Sequence, residues 1–270
     1  MQLNRMMLMG AALFGATACS KEPAAEQTLA PTAAALEAAK PSAPGAVALR
    51  VEQSSSSFTF SMDSPLEKID GDAPQSIAGE LLVDPTDLAK STALIKADLS
   101  LLTLYQQKRG DEKAGYGERK KSDLQNEHAR DWLQIVAKAG EVTPAQAEMN
   151  RFAELKIDKL EDLSASDLTK LSSAERKVTA TATGDFRLHG RKASKRAKVE
   201  LSFFYAGDKL ERVAVKTREP LLVTLEEFDV HPRDAAGKLV KTLSEALSSN
   251  LKGKVAKEAP VDVSFVARAK

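Results

Sequence analysis

Residues 178–188, VTATATGDFRL, alternate without a break: Val178, Ala180, Ala182, Gly184, Phe186 and Leu188 fall on one side, and Thr179, Thr181, Thr183, Asp185 and Arg187 on the other. A period of two belongs to a β-strand with one dry and one wet face. The same period returns at Ala197, Val199, Leu201, Phe203 and Tyr205, with HGRKASK as the intervening turn. AGDK, residues 206–209, then reads as a tight hairpin leading into LERVAVKT. Alternation recurs in FTFSM (Phe58, Phe60, Met62), SIAGELLV (Ile77, Gly79, Leu81, Val83) and TALIKADLSLL (Ala93, Ile95, Ala97, Leu99, Leu101). It is found again, more weakly, in AELKID, and then in PLLVTLEEF and VDVSFVARA. About eight or nine strands follow, mostly joined as antiparallel neighbours.

Each strand has one apolar face to bury. Closure into a barrel removes the exposed edges, and eight strands enclose an interior that side chains fill or one apolar ligand occupies. A two-sheet sandwich satisfies the same pattern. Small inward residues at Ala180, Ala182, Gly184, Gly79 and Ala97 leave space for a ligand, or for large side chains reaching across a filled core. Helical signals are fewer. SDLQNEHARDWLQIVAK carries Leu124, His128, Trp132 and Ile135 or Val136 at helical spacing, and Thr143 to Gln146 is a capping box with proline at the first helical position. Val240, Leu243, Leu247 and Leu251 form a third stripe.

The chain begins differently. Arg5 precedes an apolar run, Met6 to Ala18, that is shorter than the roughly 20 residues a membrane span needs. A basic start, an apolar middle and small residues at a cut form a secretory signal. Ala16, Thr17 and Ala18 before Cys19, the single cysteine of the chain, resemble a bacterial lipobox. That resemblance implies an acylated Cys19, cleavage just before it, and a membrane tether. Ser20 after the cysteine points to the outer membrane under enteric sorting, facing the periplasm. Residues 1–18 are therefore read as signal peptide, 19–53 as a flexible Ala/Pro-rich linker, and 54–270 as one domain.

Two stretches carry a further resemblance: FTFSMDSPLEKIDGDAPQSIAGELLVDPTDLAKSTALIKADLSLLT, and TATGDFRLHGRKASKRAKVEL with Gly184, Asp185 and Gly190 in matching places. Their order of strands and turns is similar to the YceI-like polyisoprenoid-binding family. The resemblance implies a mainly β fold, an extended antiparallel lipocalin-like β-barrel of about eight strands with two or three short covering helices. It also implies a long apolar ligand inside, an isoprenoid or a quinone. The inward positions expected to meet that ligand are Phe58, Phe60, Ile77, Leu81, Ile95, Leu99, Ala182, Phe186, Leu188, Val199, Leu201 and Phe203.

The densest basic cluster is Arg187, Arg191, Lys192, Lys195, Arg196 and Lys198. Arg191 and Lys195 are its candidates for a pyrophosphate head group; otherwise the cluster is a solvated hairpin whose charges discourage edge pairing. The mixed-sign run QQKRGDEKAGYGERKK reads as a mobile surface loop, and His189 as a solvent-exposed turn residue. His128 on its helical stripe reads as a packed or rim residue. No metal is expected from His128, His189 and His231, which lack ligand spacing. Ser249 and Lys252 match SxxK without the companion motifs, and no GxSxG, Walker or GxGxxG loop occurs. A formal charge of +1 implies no nucleic-acid partner. The chain is read as a non-enzymatic lipid carrier, with a filled-barrel, partner-binding lipoprotein as the alternative.

Overall fold

The alternating stretch and its upstream extension, 14 residues in all, form one arm of the longest hairpin among the described residues. The computed structural model describes residues 29–38, 45–232 and 257–270; Cys19, the signal segment and the Val240–Leu251 stripe lie outside the described residues. In chain order the strands are β1 (Val47–Asp63), β2 (Glu67–Pro74), β3 (Ile77–Val83), β4 (Thr92–Asp98), β5 (Thr103–Lys108) and β6 (Lys120–Lys121). Helices α1 (Asp123–Leu133) and α2 (Pro144–Asn150) follow. Then come β7 (Phe152–Glu161), β8 (Glu175–Leu188), β9 (Arg191–Ala206), β10 (Lys209–Thr217), β11 (Leu221–Thr224) and β12 (Glu258–Ala269).

Eight strands close a ring in the order β1-β3-β4-β7-β8-β9-β10-β12, and β12 returns to β1 through pairs from Leu49↔Ala269 to Phe60↔Val261. Neighbours in the ring are antiparallel throughout. β2, β5 and β6 extend the wall beyond the second half of β1, and β11 does so beside β12. The barrel leaves its ring without a free edge.

Turn chemistry sets the hairpins. His189 and Gly190 have φ of 49° and 70°, the paired positive values whose twist matches flanking strands, and Leu188 pairs directly with Arg191. This turn is shorter than the HGRKASK expected for it, so Arg191, Lys192 and Lys195 are strand residues. β9 and β10 are joined by Gly207 and Asp208 alone. At the end of β4 the Asp98 carboxylate accepts from the Ser100 N–H at 3.0 Å and coils residues 99–101 into a single 3-10 turn. Leu99 stays buried while Leu101 faces outward, so the period-two reading fails there.

Three other expectations change. The domain starts before residue 54: β1 begins at Val47, and residues 29–38, placed in the linker, pack on the barrel. The amide of Ala33 donates to the Gly190 carbonyl at 2.8 Å, and that of Ala30 to Glu227 O at 2.9 Å. Beneath this strap lies a buried ion pair, Glu154 with Arg187, whose side chains are 2% and 1% exposed. Glu154 accepts from the Leu36 N–H at 2.7 Å and Arg187 donates to Ala33 O at 3.1 Å, so local Ala/Pro composition concealed a docked segment. The loop between β5 and β6 is likewise pinned: Tyr116 Oη donates to Ser64 O at 2.9 Å, and Arg109 and Arg119 lie over the Tyr116 and Tyr105 rings. Finally, β2 is a strand that the alternating runs did not include. Gly71 is required there by packing, since a Cβ would sit 2.2 Å from the Phe60 ring on β1.

The two ends of the barrel differ. At one end α1 crosses the ring. Asn126 ties it to β5, receiving Leu104 N–H at 2.9 Å, and Gln134 Oε1 ties its C-terminus to His189 Nε2 at 2.9 Å. At the other end Leu88 and Leu168, each 0% exposed, close the floor from two 3-10 turns that exchange backbone hydrogen bonds with Ser166 and Pro85.

Candidate functional site

The inward faces of the ring surround a cavity of about 640 Å³. Eight-stranded barrels are just wide enough to be filled or to hold one ligand, and this one has space. Its wall includes all twelve residues expected to face inward: Phe58, Phe60, Ile77, Leu81, Ile95, Leu99, Ala182, Phe186, Leu188, Val199, Leu201 and Phe203. Alanines at positions 93, 97, 153, 182 and 197 are lining residues and keep the bore open.

The glycines do not. A Cβ at Gly184 would lie 1.8 Å from the Lys156 carbonyl oxygen, and one at Gly79 would lie 2.3 Å from Leu94 O. Their missing side chains are replaced by the neighbouring strand's backbone; at Gly184 this coincides with the register shift between Ile157 and Lys159 on β7. The expectation that these glycines make room for a ligand is therefore corrected.

At the α1 end the wall comes from Gln125, His128, Ala129, Trp132 and Leu133. These are the i, i+3, i+4, i+7 and i+8 positions of one helical face. The stripe is rotated by one residue from that expected, because Leu124 and Val136 point away from the cavity and are exposed. Trp132 stacks on His128 with ring centers 5.8 Å apart and planes 7° from parallel. Leu102, Leu104, Val261 and Val263 complete this region. The sequence signal for Leu104 was only its short alternation within TLYQQK.

Among the described residues the ionisable ones of the lining are Glu67, His128 and Asp131, all at this end. Glu67 accepts from Gln106 Nε2 at 2.5 Å, and Asp131 pairs with Lys138 at 2.7 Å. Lining residues Met62, Glu67, Gln125 and Trp132 are partly exposed, whereas Val83, Leu88, Ser91 and Phe203 at the floor are buried. Among the described residues the cavity thus meets solvent at the α1 end, and Leu88 and Leu168 pack across the other. Between the ends the wall is apolar, with no nucleophile and base in reach of one another. Among the described residues no cluster of His, Cys, Asp or Glu is placed to hold a metal ion.

The basic cluster is elsewhere. Neither Arg191 nor Lys195 lines the cavity. Lys195 pairs with Glu227 at 2.7 Å, Arg191 donates to Ala30 O at 2.9 Å, and Lys192 pairs with Asp185 at 2.7 Å. Arg196 meets Glu161 at 2.5 Å; hydrogen bonds from Lys159 and then Thr183, with a smaller contribution from the Arg196 charge, hold that carboxylate at a pKa of about 2. The head-group assignment of Arg191 and Lys195 is not supported: they share the β9 face of Ala197 and Val199, opposite Leu188 and Gly184, but neither reaches the cavity, because Glu227, Asp229 and the Ala30 carbonyl engage them. His189, expected in solvent, is buried, with Nδ1 3.1 Å from Phe228 O.

No family model and no curated protein matches the sequence. Two solved structures align with it over most of its length. One is a polyisoprenoid-binding domain from Saccharophagus degradans implicated in plant cell wall breakdown, 16% identical, with TM-score 0.46, covering 83% of this chain and 99% of that one. The other is BcnA from Burkholderia cenocepacia, 13% identical, with TM-score 0.44, covering 82% and 99% respectively.

Proposed function

We propose that the barrel binds and shields one long apolar lipid, of polyisoprenoid or quinone type, for carriage or storage in the cell envelope. The observation that carries this reading is the cavity: about 640 Å³, apolar from floor to mouth and, among the described residues, closed at one end. Ligand pockets fall in the range of roughly 300–1,000 Å³. Burying about 500 Å² of apolar tail is favourable by about 12 kcal/mol at 25 cal/mol/Å², from which association costs of about 4 kcal/mol or more are subtracted. The chain is placed in the envelope by acylation of Cys19, anchoring it to the outer membrane with the barrel in the periplasm.

The mouth narrows the ligand class. Among the described residues its ionisable groups are two carboxylates and a histidine, and no lysine or arginine lines the wall. A pyrophosphate or phosphate head would face the Glu67 and Asp131 carboxylates, and the nearby Lys138 is already engaged by Asp131. A neutral quinone ring or an alcohol instead finds hydrogen-bonding partners in Gln125 and His128, and a stacking surface in Trp132. Native mass spectrometry of the full chain, followed by solvent extraction, tests the reading. One apolar adduct per chain is expected, and polyprenol or quinone should load in preference to polyprenyl phosphate. A bare protein that takes up none of these would move the search to the outer surface.

A further inference from the structure

The exposed large apolar residues are distributed unevenly along the barrel axis. Leu66 lies in the β1–β2 turn, Leu101 in the turn after β4, Leu124 and Val136 at the two ends of α1, Met149 on α2 and Leu222 on β11. Their exposures run from 39% to 59%, and every one of these elements is at the α1 end. At the opposite end the connections 84–91, 162–174 and 207–208 contribute none among the described residues: of their leucines, Leu88 and Leu168 are fully buried and Leu163 and Leu171 partly buried. Single exposed leucines need no explanation, but a ring of them around one cavity mouth does.

The strap adds a second, independent observation. Residues 29–38 dock across the same end, against Gly190, Glu227 and Glu154, and Leu29 is itself exposed there. Cys19 precedes Leu29 by 10 residues, which span at most about 36 Å when fully extended. A lipid on Cys19 therefore tethers the barrel by its open end, close to the bilayer.

We propose that the α1 end is a membrane-docking surface: its apolar collar inserts into the outer boundary of a lipid bilayer and brings the cavity mouth against the acyl chains. Ligand then passes between bilayer and barrel beneath α1 without crossing water. Docking rests on apolar insertion: Lys138, Arg151 and Lys195 are each paired with a carboxylate, and the exposed cations Lys121 and Arg130 at α1 are offset by the equally exposed Asp123 and Glu127. It should accordingly be insensitive to salt.

The test uses the acylated full chain in vesicles of phosphatidylethanolamine and phosphatidylglycerol containing bromine-labelled acyl chains, which quench tryptophan by contact. Trp132 is the single tryptophan, so Trp132→Phe supplies a dark background. Into it go Leu124→Trp at the α1 end and, separately, Asp208→Trp at the tip of the opposite β9–β10 turn. Both positions are exposed, so neither change disturbs packing. The Leu124→Trp protein should lose most of its emission and shift to the blue, in low and high salt alike, while Asp208→Trp is unaffected. Equal quenching of both, or quenching of neither, overturns the docking surface. The inference rests on the carrier reading for its purpose only: failure of that reading appears separately, as absence of an apolar adduct in the mass spectrum of the unsubstituted full chain, which keeps Trp132.

Discussion

Replacing Glu154 with leucine isolates the buried pair that fastens the strap. The carboxylate is 2% exposed, lies 3.5 Å from Arg187 Nη1 and 2.7 Å from Lys96 Nζ, and accepts the Leu36 N–H at 2.7 Å. Removing it leaves the Arg187 guanidinium, 1% exposed, with only the Ala33 and Met149 carbonyls as partners. Breaking one half of a buried ion pair costs about 3–5 kcal/mol, because the other charge stays desolvated without compensation. At an m-value of about 2 kcal/mol/M in urea, the unfolding midpoint should fall by about 1.5–2.5 M. Glu154→Leu combined with Arg187→Met removes both charges. Its cost should be smaller, about 1–3 kcal/mol, set by the lost hydrogen bonds to residues 33–36 and 149. Urea unfolding followed by circular dichroism measures both, and limited proteolysis reads whether residues 29–38 become cleavable. A single variant within about 1 kcal/mol of the parent, or a double variant worse than the single, refutes the argument that desolvated charge holds this site.

Other outcomes follow from the cavity and its ends. Ala182→Phe places a ring in the bore without burying a polar group and should abolish the apolar adduct at nearly unchanged stability, checked by native mass spectrometry alongside thermal unfolding. Gly184→Ala drives a methyl group into the Lys156 carbonyl and should destabilise by about 3 kcal/mol or more, as misfit backbone contacts do; a neutral result would show that β7 yields easily. Burial pushes the Asp98 carboxyl up, but hydrogen bonds from Arg151 and Ser100 outweigh it and hold the group below the usual carboxylate range. A depressed pKa gives stability that is present above the unfolded value near 3.8 and is lost as pH falls through the folded one. Asp98→Asn should therefore cost about 1 kcal/mol at neutral pH, and that difference should vanish in acid; a difference independent of pH contradicts the charge assignment.

Where alternation ran uninterrupted, as along Val178–Leu188 and Ala197–Tyr205, sequence alone located both the strand and its inward face. Eleven of the twelve inward candidates lie in such runs, Leu99 in the 3-10 turn after β4 being the exception, and a strict period of two leaves no choice of face once one side is apolar. Three features escaped for separate physical reasons. Gly79 and Gly184 were read as vacancies, but whether a glycine opens space or admits a neighbour's backbone depends on register, which composition does not encode. The 29–38 strap resembles a linker because its hold is made by backbone groups and two buried charges 118 and 154 positions away in sequence. Arg191 and Lys195 looked like a head-group site because their acidic partners, Glu227 and Asp229 among them, come from another segment. Polar residues of the mouth were similarly hidden, since only the fold brings Glu67 of β2 together with Gln125, His128 and Asp131 of α1.

The central claim is that an apolar chain lies inside the barrel, and Trp132 reports on it directly. As the single tryptophan, it lines the cavity at the mouth. Titration of the delipidated full chain with a long-chain quinone should quench Trp132 saturably at one equivalent. A polyprenol of matching length, which does not quench, should restore the emission by competition, and Ala182→Phe should remove the response. Quenching that never saturates, or that persists unchanged in Ala182→Phe and in the presence of polyprenol, would contradict the claim that the barrel interior holds the lipid.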